Sequence, residues 1–272
     1  MNIIFIIQHN RLLEIIIISL LGASIGSFLN VVIYRLPQIL YHRDKSINLM
    51  MPHSFCPQCK HTISWQHNLP LLSFLLLRGK CAYCQHRISL HYFIVELSCV
   101  LLSVFLAFYY SFNWQFLGSL LFTWSLIPLV VIDVKTQLLP DEITLPLLWL
   151  GLIFNLFTTF TQLKTAVIGA ISGYLTLWAI THVYRLFTKK QAMGHGDFKL
   201  LAAIGAWLGW QLLPFVIFIA SVLGIICGLF WLHISRQPFN TAIAFGPYLA
   251  IAAWFVLIFN KDFFNWYFTL LG

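Results

Sequence analysis

Charge is what this sequence has least of. Of 272 residues only 8 are acidic and 16 are lysine or arginine, so charged residues make up 9%, against about 25% in an average soluble domain. Hydrophobic residues make up 60%. The length alone would allow two soluble domains; the composition excludes them and points to a polytopic membrane protein. At about 20 apolar residues per spanning helix, the chain has room for roughly eight spans and one polar segment, and none for a separate soluble catalytic domain. Blocks of like charge and low-complexity tracts are also missing, so the net charge of +8 is no nucleic-acid-binding tail. No nucleic-acid partner is expected, and membrane lipid is the expected surrounding. Chemistry must then sit within helices, at their ends or in the polar segment, where eight carboxylates are available: Glu14, Asp44, Glu96, Asp133, Asp141, Glu142, Asp197 and Asp262.

The first apolar run, Leu12 to Ile33, is longer than the apolar stretch of a signal peptide, and Arg35-Leu36-Pro37 after it offers no small-x-small cleavage pattern. It reads as a retained span. Residues 35–87 are polar and rich in His and Cys. Further spans are expected at about 91–111, 113–132, 143–161, 165–184 and 242–260. The stretch 198–233 is too long for one crossing and barely long enough for two, so Gly209, Gln211 and Pro214 mark a break with one short helix beside it. If eight spans alternate and the polar segment is cytoplasmic, Arg35, Arg43, Lys45, Lys60, Arg78, Lys80, Arg87, Lys135, Arg185, Lys189, Lys190, Lys199 and Arg236 lie inside, and only Arg11, Lys164 and Lys261 lie outside. The positive-inside rule therefore puts both termini outside and the loops around Asp133 and Asp197 on the cytoplasmic face. The absence of a long internal repeat counts against an inverted-repeat transporter.

Two motifs carry chemistry. Cys56-Pro-Gln-Cys59 and Cys81-Ala-Tyr-Cys84 are paired Cys-x-x-Cys knuckles, whose four thiolates suit a tetrahedral structural Zn²⁺; the alternatives are disulfides or four free thiols. His53, His61, His67 and His86 read as surface histidines, and Cys99 and Cys227, inside apolar runs, as packing residues. The second motif is a pair of acids at span ends. Asp133 follows an apolar run without a polar buffer, and Asp197 stands in Gly194-His195-Gly196-Asp197-Phe198-Lys199. Acids at the edge of hydrocarbon are costly and are functional candidates, although an N-cap or interfacial role would also account for either one alone. Brought together, two such acids would share a proton, one activating water while the other polarises a carbonyl. Lys199 would support Asp197 or serve as an ordinary inside lysine. Glu96 faces either the helix bundle or a groove, Asn30 and Arg35 read as packing or anchoring residues, and His182 and His195 as interfacial and loop histidines.

Gly26-Ser-Phe-Leu-Asn-Val-Val-Ile-Tyr-Arg-Leu-Pro37, the two knuckles, Ile132-Asp133 through Asp141, Gly194 to Leu200 and Phe245-Gly-Pro-Tyr248 resemble, in that order, the bifunctional bacterial type IV prepilin peptidases. The resemblance implies an integral protein of the bacterial inner membrane with its active site at the cytoplasmic face and both termini periplasmic. It implies an aspartic endopeptidase that removes the leaders of type IV prepilins and type II secretion pseudopilins after a glycine, then N-methylates the new terminus with S-adenosylmethionine. By motif, Asp133 and Asp197 correspond to the catalytic pair, with Gly194, Gly196 and Lys199 in support, and Cys56, Cys59, Cys81 and Cys84 to the zinc ligands. The organisation expected is a first transmembrane helix in 1–35, a cytoplasmic zinc-binding segment in 36–90 and a transmembrane peptidase domain in 91–272. No soluble Rossmann-type glycine fingerprint is present, so the methyl donor is expected near the cysteine segment, with Gly79 as a close-approach backbone. Asp44, Asp141 and Glu142 are candidate contacts for leader lysines. The rival readings are a proton-coupled transporter relaying protons through Asp133, Asp197 and Glu96, and a zinc-anchored scaffold without catalysis.

Overall fold

The computed structural model describes residues 10–42, 48–50, 55–56, 58–189, 193–236, 238 and 243–259. Regular structure among them is helical, apart from two isolated β-bridges, Phe55 with Thr62 and Lys80 with Arg87. The chain divides into two compact units, Met1–Pro128 and Leu129–Gly272. Asp44, His53, Arg43, Lys45, Lys190, Lys261 and Asp262 lie outside the described residues.

In the first unit, α1 (Arg11–His42) starts where Asn10 Oδ1 accepts the Leu13 amide, an N-cap bond. At about 1.5 Å per residue its 32 residues reach roughly 48 Å, well beyond a hydrocarbon core of about 30 Å. The helix therefore continues through Arg35 and Pro37, past the span end expected from the sequence. A five-residue helix, α2 (Leu72–Leu76), lies within the polar segment. Next comes α3 (Leu90–Tyr109), which packs along α1. Gly22 and Gly26 on α1 meet the backbone of α3 at Cys99, Val100 and Glu96 so closely that added side chains would collide, the small-residue contact by which helices approach in a bilayer.

Helix α4 (Trp114–Thr136) runs across the border of the two units. It passes through Asp133, where the apolar pattern had suggested a break, because nothing interrupts its ladder before Gln137. There φ turns to +53°, and the Gln137 amide closes onto the Asp133 carbonyl at 2.9 Å. Pro140 precedes α5 (Asp141–Leu156), followed by α6 (Leu163–Thr188), α7 (His195–Leu208), α8 (Leu213–Ser235) and α9 (Gly246–Ile258). The expected break falls at Gly209, whose φ of +81° suits glycine, and α7 is the short helix beside it.

Helix α7 is the centre of the second unit. Leu200, Leu201, Ala203, Ile204, Ala206 and Trp207 are fully buried. Gly169 and Gly173 on α6 let its backbone come against Gly205 and Leu201. Trp207 donates to the Leu147 carbonyl at 2.8 Å and stacks on Phe154, in space left by Gly151. Asn155, also fully buried, closes the end of α7: its amide donates to the Ala206 and Trp207 carbonyls, and its oxygen accepts from Phe160 and Thr161. These bonds satisfy helix-end groups that no water reaches.

Five helices among the described residues are long and apolar enough to cross a membrane: α1, α3, α4, α6 and α8 with its preceding turn. Helices α5, α7 and α9, with 16, 14 and 13 residues, are shorter. Large apolar side chains such as Leu20, Phe108, Ile180 and Phe230 point outward. The fold is an all-helical multi-pass membrane protein.

Replacing Asn155 by Leu strands two carbonyls and two amides at about 1–3 kcal/mol each. Thermal unfolding in detergent is expected to show a clearly lowered midpoint for Asn155→Leu and an unchanged one for Thr176→Ala, on an exposed face. Equal midpoints would remove Asn155 as the lock on α7.

Candidate active site and cysteine centre

The cysteine segment is built from one turn used twice. The Cys56 amide donates to the His61 carbonyl and the Lys60 amide to the Cys56 carbonyl; Cys81, His86 and Gln85 repeat both bonds. Lys60 and Gln85 occupy the same place in the two turns and both have positive φ, 60° and 57°, and the bridges Phe55 to Thr62 and Lys80 to Arg87 close each copy. The repeat is too short to register as sequence periodicity, but it points the four sulfurs of Cys56, Cys59, Cys81 and Cys84 to one spot, all within 4.8 Å of one another. None is in a disulfide. Tetrahedral Zn–S bonds of about 2.3 Å place sulfurs about 3.8 Å apart, and Cys56 Sγ lies 3.8 Å from Cys84 Sγ. The donor set fits a closed structural zinc site. The Cys59 amide directed at the Cys56 thiol brings it down to about 7, whereas Cys84, despite the His86 amide, is pushed up to about 11 by desolvation and the neighbouring sulfurs. Of the other cysteines, Cys99 is fully buried, but Cys227 stands on an outward face of α8, so only the first is a packing residue.

The two acids lie in the second unit. Asp133, in the last turn of α4, is 5% exposed, and Asp197, in the first turn of α7, is 8% exposed. Each is held by the amide at the start of a helix. The Gly246 N–H, at the first position of α9, donates to Asp133, and the Gly194 N–H, at the N-cap of α7, donates to Asp197, which reaches back as in a capping box. Helix N-termini are electropositive, so both carboxylates receive the same compensation. Leu139, from the linker between α4 and α5, touches both Gly196 and Gly246, which draws the two acid-bearing corners around one side chain. Asp197 Oδ1 is buried without a hydrogen-bond partner among the described residues, an acceptor placed for a proton or a water.

Not every residue singled out from the sequence joins this pair. Lys199 turns away from Asp197 and takes both oxygens of Asp141, at 2.8 and 2.7 Å, so Asp141 is already engaged, while Glu142 is exposed. His195 lies edge-on to Phe198, and His182 stacks on Trp178. Glu96, in the first unit, accepts the Leu71 amide at 2.8 Å. Arg35, 6% exposed, donates to the carbonyls of Asn48 and Leu49, an anchor for the chain beyond α1. Gly79, with φ of +68°, packs under the Phe74 ring. Gly246 is the residue sequence reasoning passed over: it stands in the quoted Phe-Gly-Pro-Tyr motif, but nothing local shows that it faces Asp133.

Fold and site together define a helical membrane protein with a buried pair of aspartates and a four-cysteine cluster. Residues 20–110 match the bacterial peptidase A24 N-terminal domain, and residues 120–229 match the type IV leader peptidase family. The chain is 46% identical over 273 residues to a prepilin leader peptidase/N-methyltransferase of Stutzerimonas stutzeri, covering 94% of each chain. Proteins of the same description from Pseudomonas aeruginosa, 43% identical over 93% of each chain, and Neisseria gonorrhoeae, 42% identical over 92% of this chain and 93% of its own, are also similar. No solved structure matches. The chain belongs to the type IV leader peptidase family and is a peptidase and N-methyltransferase, which takes precedence over the transporter and scaffold readings.

A methyl group at position 246 would collide with Asp133 Oδ2 and press on Leu139; where an acid takes part in the reaction, displacing it by about 1 Å costs on the order of a hundredfold in rate. Gly246→Ala is expected to lose leader cleavage by about that factor, while Gly224→Ala, where a methyl group meets only ordinary contacts, retains it. Cleavage of a purified prepilin, followed by gel shift, distinguishes the two.

Proposed function

We propose that Asp133 and Asp197 are the catalytic pair of an intramembrane aspartic endopeptidase, which cuts type IV prepilins and type II secretion pseudopilins after the leader glycine. The observation that carries this reading is the shared environment of the two acids. Both are buried, and both accept a helix-terminal amide. At neutral pH the pair holds one proton between two carboxylates. Asp197 carries it and hydrogen-bonds the scissile carbonyl, while ionised Asp133 takes a proton from the attacking water. The C–O bond forms, the C–N bond breaks, and the amine departs with a proton returned from the pair. Gly194 supplies the amide that Asp197 accepts, Gly196 leaves the space beside it that Leu139 fills, and Lys199 supports the corner indirectly by tying α7 to Asp141.

The setting fits such a substrate, whose basic leader is cytoplasmic and whose mature segment is an apolar helix, so that the scissile bond lies at the membrane border. In this reading the three shorter helices complete eight spans in the bacterial inner membrane, with both termini periplasmic and lipid around the outward apolar faces. Residues 1–35 contribute the first span, 36–90 the cytoplasmic zinc segment and 91–272 the peptidase domain. Zn²⁺ on Cys56, Cys59, Cys81 and Cys84 is structural, since four sulfurs leave no open coordination position. S-adenosylmethionine supplies the methyl group to the newly exposed amine.

Asp133→Asn and Asp197→Asn are each expected to abolish cleavage of a prepilin in detergent while the protein still binds zinc; full processing by both would sink the pair. Metal analysis should find one zinc per chain, absent together with methylation when all four cysteines are changed to serine.

A further inference from the structure

In the first unit the cysteine segment folds over the facing ends of α1 and α3 and leaves a cavity of about 440 Å³, within the range of roughly 300–1,000 Å³ usual for small-molecule sites. Its lining is polar in part and includes two arginines, of which Arg35 is already engaged with the Asn48 and Leu49 carbonyls. Asn30 is 5% exposed; its amide donates to the Tyr92 carbonyl at 2.9 Å, while its Oδ1 is buried with no partner among the described residues. A buried acceptor left unpaired is costly, so this oxygen is positioned for a donor or cation arriving from the cavity. Glu96 is the one acid among the lining residues, and it also holds the amide of Leu71, a non-glycine residue with φ of +60°. A bulky residue in that conformation is strained, as residues at functional sites often are. Tyr34, Tyr83 and Phe74 add aromatic faces, and Arg87 adds a cation.

We infer that this cavity binds S-adenosylmethionine. Asn30 Oδ1 and the Glu96 carboxylate receive its cationic sulfonium and ammonium groups, the aromatic side chains its adenine, and Arg87 its carboxylate. A zwitterion with an added positive centre and a flat heterocycle needs two anionic or acceptor groups, one cation and aromatic walls, and the lining holds that set. Gly79 is not itself in the lining; it backs the Phe74 ring, where a Cβ would come within 3.0 Å, so it positions a wall and does not touch the ligand. The inference rests on the methyltransferase activity and adds its site.

The test uses full-length protein in detergent with S-adenosylhomocysteine as the calorimetric probe. Glu96→Gln keeps an acceptor for the Leu71 amide but removes the charge; it and Asn30→Leu are each expected to weaken binding at least tenfold while prepilin cleavage, a reaction of the other unit, is unchanged. Should Asn30→Leu also lose cleavage, Glu96→Gln decides. Ultraviolet cross-linking of labelled S-adenosylmethionine to the unaltered enzyme should label peptides containing Tyr34, Tyr83 or Tyr92. Wild-type affinity in Glu96→Gln, or labelling confined to residues 129–259, would overturn the site while leaving the activity standing. An unaltered enzyme that fails to methylate cleaved prepilin would overturn the methyltransferase reading and this inference with it.

Discussion

Two carboxylates buried within one helical unit cannot both be left without compensation, and the second unit is organised around how that is done. Desolvation penalises each charge and each charge penalises the other, so each acid is given the N-terminal amide of a helix: Gly246 for Asp133 and Gly194 for Asp197. That choice has consequences outward. Position 246 has no room for a side chain, and Leu139 must fill the corner that Gly196 and Gly246 leave open. The α4 to α5 linker must be short and turn sharply at Gln137. Helix α7 must also be driven into the centre of its unit so that its first turn reaches the acids, which is why its remaining turns are wholly buried and why Asn155 closes its far end.

The first unit solves a different problem, that of building a rigid polar segment with little apolar core. A doubled knuckle around four sulfurs supplies the donor set for this where hydrophobic burial cannot, since a metal bound there would contribute folding energy directly. The overlong α1 carries the segment's base out of the membrane, and Glu96 on α3 clasps it through Leu71. The buried acid pair and the cysteine cluster lie in different compact units, a division that would suit the two proposed reactions, hydrolysis by a shared proton and methyl transfer from a pocket with charges of both signs.

Much of this was readable in the residues. The scarcity of charge marked a membrane protein, the knuckles marked a metal site, and the eight carboxylates made a list short enough to take one by one. Glu14 is held by Arg11 and Asp141 by Lys199, while Glu142 is exposed. Other features were not legible. Asp133 looked like a loop residue because hydropathy falls there, whereas a helix ends only where its hydrogen-bond ladder is broken, three residues later. Lys199 stood two positions from Asp197 and looked like its partner, but on a helix residues two apart do not face each other. Gly246 and the orphaned Asn30 oxygen gave no local sign at all.

What the sequence by itself determined is therefore whatever depends on composition and short spacing: the lipid setting, the helical class, the ligand quartet and the two acids worth attention. The tertiary structure alone decided which amide compensates which acid, which lysine pairs with which carboxylate, and where a cavity remains between α1, α3 and the cysteine segment. Those depend on contacts between residues as far apart as Asp133 and Gly246, or Asn30 and Tyr92. Such contacts follow from how helices pack and where they end, and no pattern within a single stretch of chain encodes them.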